Sequence, residues 1–353
     1  MRSFGRCELI RGNRNGQRLL QSVTALLTTA VAGVAGAQTL SIAAHVPQTH
    51  LASARAAEPF MECVTQKSDG RISFDFFGGG QIGNHQQSLA IVTDGVVDIS
   101  YVSVSSLTDK MPLNNIPMLP GLGTTAVQMT KAMRMVLDSH GVYDAEYAAT
   151  DVVPLLINMY PPYQIMSVDD KLESMTEMSN KKIRSSGGAH TFTVSALGAV
   201  PVEISAGDTY IALQQETIDG AILPVASVTQ YALEEVIKSI SSNLSLGTAL
   251  GVYAIDRSTY EALPATDQEI LQDCGRRVEM ELAHWIDEST QSTLEELTLS
   301  GIDVYDISPS ELEKINVSLS GMRQQVVARM TERGLESEDA YKEYNAALSA
   351  ASN

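Results

Sequence analysis

The sequence predicts an α/β protein built on two mostly parallel sheets, with one long helix in its C-terminal third reaching along both. Three observations predict it. Strand-like and helix-like runs alternate from Thr39 to Val102 in a βαβαβ order, which calls for a parallel sheet with right-handed crossovers. The alternation resumes between about residues 160 and 249. Pro264 then precedes Thr266-x-x-Glu269, a capping box opening a helix that runs past Trp285 towards Leu297. At ~1.5 Å per residue that helix exceeds ~40 Å, long enough to serve two domains.

The elements follow in order. Thr39–Ala44 reads as a strand and His45-Val-Pro-Gln-Thr-His50 as a loop. Residues 51–67 form an amphipathic helix with Ala54, Ala57, Met61 and Val64 on one face, and Ser68-Asp-Gly70 is a turn. Ile72–Phe77 is the second strand, residues 84–93 a helix, and Val96–Val102 the third strand. Residues 112–124, rich in Pro and Gly, read as an ordered loop before a helix over about 125–139. Asp151–Met159 is a strand ending at Pro161-Pro162. Lys182–Arg184 is a short strand that opens onto Ser185-Ser-Gly-Gly188 and a helix from about Thr191 to Leu197. Segments at Val202–Ile204, Asp208–Gln215 and Ala221–Leu223 continue the second sheet.

The first 37 residues stand apart. Five Arg, an apolar run from Leu19 to Gly36 and a terminal Ala35-Gly36-Ala37 describe a secretory signal cleaved before Gln38; polar residues dilute the run too much for a membrane anchor. No Cys stands directly after the cleavage site, and no Arg-Arg pair in this segment marks export in the folded state. Without this segment the chain holds 19 Lys+Arg and 41 Asp+Glu, a net charge of −22. Such a surface repels nucleic acid and anionic membranes, and a bound anion needs a local cationic site. Cys63 and Cys274 remain, over 200 residues apart and each in an apolar helical context. Two buried free thiols are the favoured reading, with pairing left open.

Gly78-x-Gly80-x-x-Gly83 has the spacing of a dinucleotide-binding fingerprint. It follows the second strand rather than the first, and the acid at the required distance, Asp98, stands near the start of its strand. A tight strand-to-helix turn with glycines at positive φ is the better account. The histidines are scattered; His45 and His50 lack a third ligand at metal-binding spacing. No nucleophile elbow, zinc-protease helix or phosphate-binding loop occurs, so the case for an enzyme is weak. Arg184 is different: a guanidinium ending a strand beside free N–H groups at a helix start makes an anion site. A surface arginine in a salt bridge is the competing reading.

Five segments together resemble one family: AAHVPQTHLASARAAEPF (43–60), SDGRISFDFFGGGQIGNHQQSLAIVTDGVVDISYV (68–102), KKIRSSGG (181–188), LGAVPVEISAGDTYIALQQETIDG (197–220) and YAIDRSTYEALP (253–264). In this order the mature chain resembles the DctP-like solute-binding proteins of TRAP (tripartite ATP-independent periplasmic) transporters. The resemblance implies a two-lobed periplasmic binding protein fold whose long C-terminal helix spans both lobes. Residues 38–159 with about 250–289 would form lobe I, and 160–249 with about 290–353 lobe II. It implies a periplasmic receptor that passes a small organic acid to membrane permease subunits; a monomer without cofactor or catalysis is expected, with no metal site assigned and metal assistance to binding left open. Arg184 matches the family's carboxylate-clamping arginine. His45, Asn84 and Ser103 fall where the family lines its cleft, and Tyr210 within AGDTY is added to the set.

Two departures bear on the ligand. Where many relatives carry a second arginine in N-G-x-R, this chain has Tyr160-Pro-Pro-Tyr163, and Leu223 replaces the asparagine of D-G-x-x-N-P. One guanidinium beside Tyr163 and an Ile-Leu pair suits a monocarboxylate with an apolar or aromatic body. A receptor for an ABC importer or sensor kinase, and a secreted NAD-dependent oxidoreductase, are the alternatives.

Overall fold

Runs rich in β-branched and aromatic residues form the strands where the pattern puts them. The computed structural model describes residues 38–352, so the predicted export signal lies outside the described residues. The first sheet contains β1 (Gln38–Ala43), β2 (Ile72–Phe77), β3 (Ile99–Ser103), β4 (Val152–Met159) and β10 (Leu250–Asp256), in the order β2-β1-β3-β10-β4. The second contains β5 (Gln164–Ser167), β6 (Lys182–Ser185), β7 (Val200–Glu203), β8 (Gly220–Leu223), β9 (Ser239–Ser241) and β11 (Asp303–Tyr305), in the order β11-β9-β5-β8-β6-β7.

Each sheet has one reversed strand. β10 runs antiparallel to both β3 and β4, and β5 runs antiparallel to both β8 and β9; the other pairs are parallel. The reversals have a common cause. β5 and β10 are the strands the chain reaches by crossing directly from the other sheet with no helix between, after Met159 and after Ser241. The two crossings lie side by side and bond to one another: Tyr160 N donates to Ala249 O (3.3 Å), Tyr163 N to Gly247 O (2.8 Å), and Leu246 N to Tyr163 O (3.3 Å). The Thr248 hydroxyl donates to Tyr160 O. The described residues form one compact unit, and these paired strands tie its two sheets together.

The long helix spans Ala265–Leu299, 35 residues and ~50 Å. It begins one residue before the predicted box, with Pro264 as its cap and no side-chain cap bond, so the Thr266–Glu269 box does not form. Gly275 lets it lie against β4: a Cβ there would fall 1.9 Å from Leu155 O. Its first half buries Leu271, Val278, Leu282 and Ile286 in a core shared with Leu155, Leu156 and Tyr253. Its last turns carry Leu297 into the core around Leu213 and Ile240 of the second sheet. Between the halves three hydroxyls turn back onto the helix. Ser289 Oγ and Thr290 Oγ1 both donate to Ile286 O (3.0 and 2.8 Å), and Ser292 Oγ donates to Ser289 O (3.1 Å).

Two expectations change. Cys63 and Cys274 are joined as a disulfide, with Cα atoms 5.8 Å apart. Their separation of 211 positions in sequence did not argue against pairing, because the helices carrying them pack side by side in one core. The C-terminal end also departs from the lobe II expectation for 290–353. β11 does pair with β9 in the second sheet. The helix Pro309–Glu332 then bridges, with Ser318 Oγ donating to Ala196 O and Arg323 Nη1 to Pro120 O (both 2.7 Å). The last helix, Ser337–Ala351, returns to the first-sheet side, where Tyr344, Ala347 and Leu348 pack with Met129 and Met133. Tyr143 OH donates to Ala340 O (2.7 Å) at that contact. A short helix at Val142–Ala149, absent from the predicted elements, supplies Tyr143.

Candidate functional site

Parallel strands gather their carboxyl ends at one edge of a sheet, and ligand sites form outside that edge. Here the edge of the first sheet carries the loop after β1, the end of β3 and the Tyr160–Tyr163 crossing; that of the second carries the end of β6.

Arg184 is the third residue of β6 and is only 2% exposed. Its Nε donates to Ile204 O (2.9 Å) and its Nη1 to Ile222 O (3.2 Å). These bonds hold the guanidinium plane and leave three of its five N–H groups without a partner among the described residues. No carboxylate pairs with it there, so the salt-bridge reading does not hold. Burial pulls its pKa down, while Tyr163, Tyr231 and Glu203 push it back up. A guanidinium still keeps its proton. The result is a fixed, buried, uncompensated positive charge.

Aromatic rings surround it. Tyr163 is buried and stacks on His190, with centroids 4.5 Å apart and planes 4° from parallel. His190 is anchored by a 2.6 Å bond between its Nδ1 and Ser186 Oγ. Tyr231 is pushed up to about 12 by burial, an effect the Arg184 charge opposes. From the first-sheet side, His45 stacks on Tyr101 (5.4 Å, 18°), which leans on Tyr253 (4.9 Å). Asn158 Nδ2 donates to Tyr101 OH (3.0 Å), and its buried Oδ1 has no partner among the described residues. Desolvation holds His45 at about 4 and His50 and His190 at about 3, so all three imidazoles are neutral at pH 7. His85 is lowered by burial first and by Arg184 second, while Glu203 and Asp208 raise it. His50, in the loop after β1, lies 5.9 Å ring to ring from Tyr231 on the second-sheet side, so the two edges face each other closely.

GGGQIGN shapes the near wall. Gly79 N donates to Val46 O (2.7 Å) and Gly80 N to Ala44 O (3.1 Å), closing the turn on the His45 loop. Within the Gly78-x-Gly80-x-x-Gly83 spacing only Gly80 has positive φ, joined by Gly79 between. At Gly83 a Cβ would lie 2.5 Å from Ile91 Cδ1, a side-chain end that would have to move aside. Asp98 accepts from Ser41 N and Oγ (both 2.7 Å) and so is tied into the sheet, away from the edge. No ribose-binding acid is presented.

The expected site residues fare differently. Arg184 and Tyr163 come together, with His45 at the facing edge. Asn84 is exposed, and its Oδ1 caps the following turn by accepting from Gln86 N and Gln87 N (3.0 and 3.2 Å), which occupies it. Ser103 ends β3 half-buried, its Oγ 3.3 Å from Ser105 Oγ. Leu223 points into the second-sheet core beside Val225 and Val228. Tyr210 is a correction: its phenol donates to Glu235 Oε2 (2.8 Å) on an exposed helix face and is not brought to Arg184. Tyr101, Asn158, His190 and Tyr231 were not anticipated. Four of six histidines gather at or beside this gap, a signal that one-dimensional spacing hides. Among the described residues no group of three or more His, Cys, Asp or Glu could hold a metal ion.

Two sheets joined by paired crossings, with an uncompensated cation among rings between their edges, define a solute-binding receptor. Residues 43–330 match the family described as bacterial extracellular solute-binding protein, family 7, and the chain belongs to that family, DctP. Among relatives, the Outer membrane transporter protein TsaT of Comamonas testosteroni is 22% identical over 83% of this chain and 86% of its own. A TRAP solute-binding protein of Rhodoferax ferrireducens, solved with copurified benzoate, superposes with TM-score 0.82 at 22% identity, covering 89% of this chain and 98% of that one. A marine metagenome TRAP solute-binding protein, solved with 3-hydroxybenzoate, gives TM-score 0.84 at 20% identity, covering 90% and 100%.

Proposed function

We propose that this chain is the periplasmic receptor of a TRAP-type importer and captures a monocarboxylate with an aromatic or apolar body. The observation that carries the reading is Arg184: buried, held by two carbonyls and lacking an acidic partner among the described residues. A buried charge in that state is costly, and an incoming carboxylate relieves the cost with a charge-assisted bidentate pair. The surroundings favour one carboxylate and no more. Tyr163 stands where relatives place a second arginine, and the neighbouring imidazoles are neutral. Rings of Tyr101, Tyr163, Tyr231 and His190 suit a flat apolar body. That two similarly folded proteins hold benzoate and 3-hydroxybenzoate agrees with this choice.

In this reading 38–159 with 250–289 form one lobe and 160–249 with β11 the other, closing about the paired crossings once ligand bridges them. The filled receptor, a monomer exported after cleavage at Ala37, hands its ligand to the membrane subunits. Competition calorimetry against a panel of carboxylates tests the ligand class. Aromatic or branched-chain monocarboxylates are expected to displace all others, and succinate or malate outcompeting every one of them would overturn it. Release of protein with Gln38 at its N-terminus into the periplasmic fraction tests the export step.

A further inference from the structure

Two polar groups on facing sides of the gap have nothing to bond to. His50, only 6% exposed, ends the loop after β1 and is held by the helix that follows. Its backbone N donates to Pro47 O (3.0 Å), its O accepts from Ala54 N (2.9 Å), and its Nδ1 accepts from Ala52 N (3.1 Å). Desolvation keeps the ring neutral at pH 7, so its single ring hydrogen sits on Nε2, which is a donor. Tyr231 stands across from it, the two ring centroids 5.9 Å apart and the planes at 47°. The chain reaches Tyr231 from β8, whose Ile222 O holds Arg184 Nη1, through Pro224 and one helical turn at Ser227–Gln230. Tyr231 N donates to Ser227 O (3.1 Å), and Ala232 behind it lies in the left-handed region at φ 53°, a conformation alanine seldom adopts. Burial keeps the half-buried phenol protonated. Neither His50 Nε2 nor Tyr231 OH has a hydrogen-bond partner among the described residues, and unlike Asn158 Oδ1 neither is sealed from solvent. Two donors left unpaired in a largely buried setting are costly, and an oxygen acceptor brought in with the ligand supplies the missing partner.

We propose that His50 and Tyr231 form a second polar subsite of the Arg184 cleft, which recognises an uncharged oxygen acceptor, such as a carbonyl, on the ligand's ring. The proposal rests on reading the cleft as an aryl monocarboxylate site and names a further substituent of that ligand. Arg184 takes the carboxylate, while His50 Nε2 and Tyr231 OH donate to the second oxygen. Neutral donors do not offset the cost of burying a second carboxylate, so an acylated aryl acid fits better than a dicarboxylate.

Calorimetry with 3- and 4-acetylbenzoate against 3- and 4-isopropylbenzoate tests the subsite, because each pair has nearly one shape and differs in a single acceptor oxygen. Wild type is expected to bind one acetyl isomer about fivefold or more tighter than its isopropyl partner. Without the subsite the order reverses, since a carbonyl buried unpaired favours the isopropyl acid. Tyr231→Phe keeps the ring and removes only the hydroxyl. His50→Asn keeps an acceptor for Ala52 N and removes the Nε2 donor. Each is expected to cut the acetyl preference about threefold or more, with benzoate itself moving by less than about twofold in Tyr231→Phe. Tyr231→Phe decides even if His50→Asn does not fold: an undiminished acetyl preference in it would overturn the proposal. Wild type that binds benzoate and the isopropyl acids without an acetyl preference would remove the subsite and leave the Arg184 reading standing. Wild type that binds no aryl acid at all would remove both.

Discussion

Replacing Arg184 by Met separates what this residue does for binding from what it does for folding. In the ligand complex it would contribute a desolvated, charge-assisted pair, ~2–5 kcal/mol, so its loss weakens binding by roughly 30- to 5,000-fold. In the free protein two opposing effects meet. Ile204 O and Ile222 O lose their donors, at ~1–3 kcal/mol each. An unpaired buried charge disappears at the same time, a relief of several kcal/mol. The balance is close to zero, and the free variant should melt within a few degrees of wild type. Ligand at ~100 times Kd adds ~2.7 kcal/mol to the wild type. With an unfolding entropy of roughly 2.1 cal/mol/K per residue, that raises its Tm by about 4 °C. Differential scanning fluorimetry reads both quantities in one plate. The expected outcome is a normal free Tm with no ligand shift. A preserved shift would refute the site, and a collapse of the free Tm by ~10 °C would make Arg184 a structural residue.

Other outcomes follow from the same structure. Replacing both Cys63 and Cys274 by Ser should lower unfolding stability by up to about 5 kcal/mol in the chain-entropy account, seen as a lower denaturant midpoint; an unchanged midpoint contradicts it. His45, His50 and His190 have folded pKa values of about 4, 3 and 3 against an ordinary 6.5. The unfolded chain therefore binds more protons below pH 6.5. Stability is full above that pH and falls as pH drops towards 4, each histidine adding up to about 1.4 kcal/mol per pH unit to the slope. Urea midpoints at pH 7, 6 and 5 measure this, and a flat profile would refute the buried-neutral assignment. Gly275→Ala puts a methyl against Leu155 O and should destabilise by ~3 kcal/mol or more, or fail to yield soluble protein. A wild-type melting curve would show that the long helix can move off β4.

How much of this was legible in one dimension depends on the range of the interaction. Strands β1, β2, β4 and β6 and the turn at Asn84 could be placed because alternation, caps and glycines act within a few residues. Arg184 was legible because the Lys-Ile-Arg-Ser-Ser-Gly-Gly run encodes its setting locally: a strand end, then a turn. The reversed directions of β5 and β10 were not, since nothing local in Gln164–Ser167 tells which neighbour it will pair with. The same holds for the disulfide and for Tyr101, Asn158, His190 and Tyr231, which converge from four elements. Tyr210 misled for the converse reason: its neighbours in sequence match a motif, but Glu235, 25 positions on, takes its hydroxyl.

The disulfide gives the long helix a mechanical character. Cys274 fastens the helix to the first-sheet side near one end, and Gly275 seats it on β4 beside that fastening. First-sheet packing continues to Ile286, and the remaining length, from there to Leu299, is a cantilever of ~20 Å. Its weakest section is the Ser289–Ser292 stretch, where hydroxyls compete for the backbone carbonyls that stiffen a helix, a pattern that bends helices. That section falls where the helix passes from one core to the other. A load on the second sheet would flex the beam there and leave the clamped root, and the packing around Cys63, at rest.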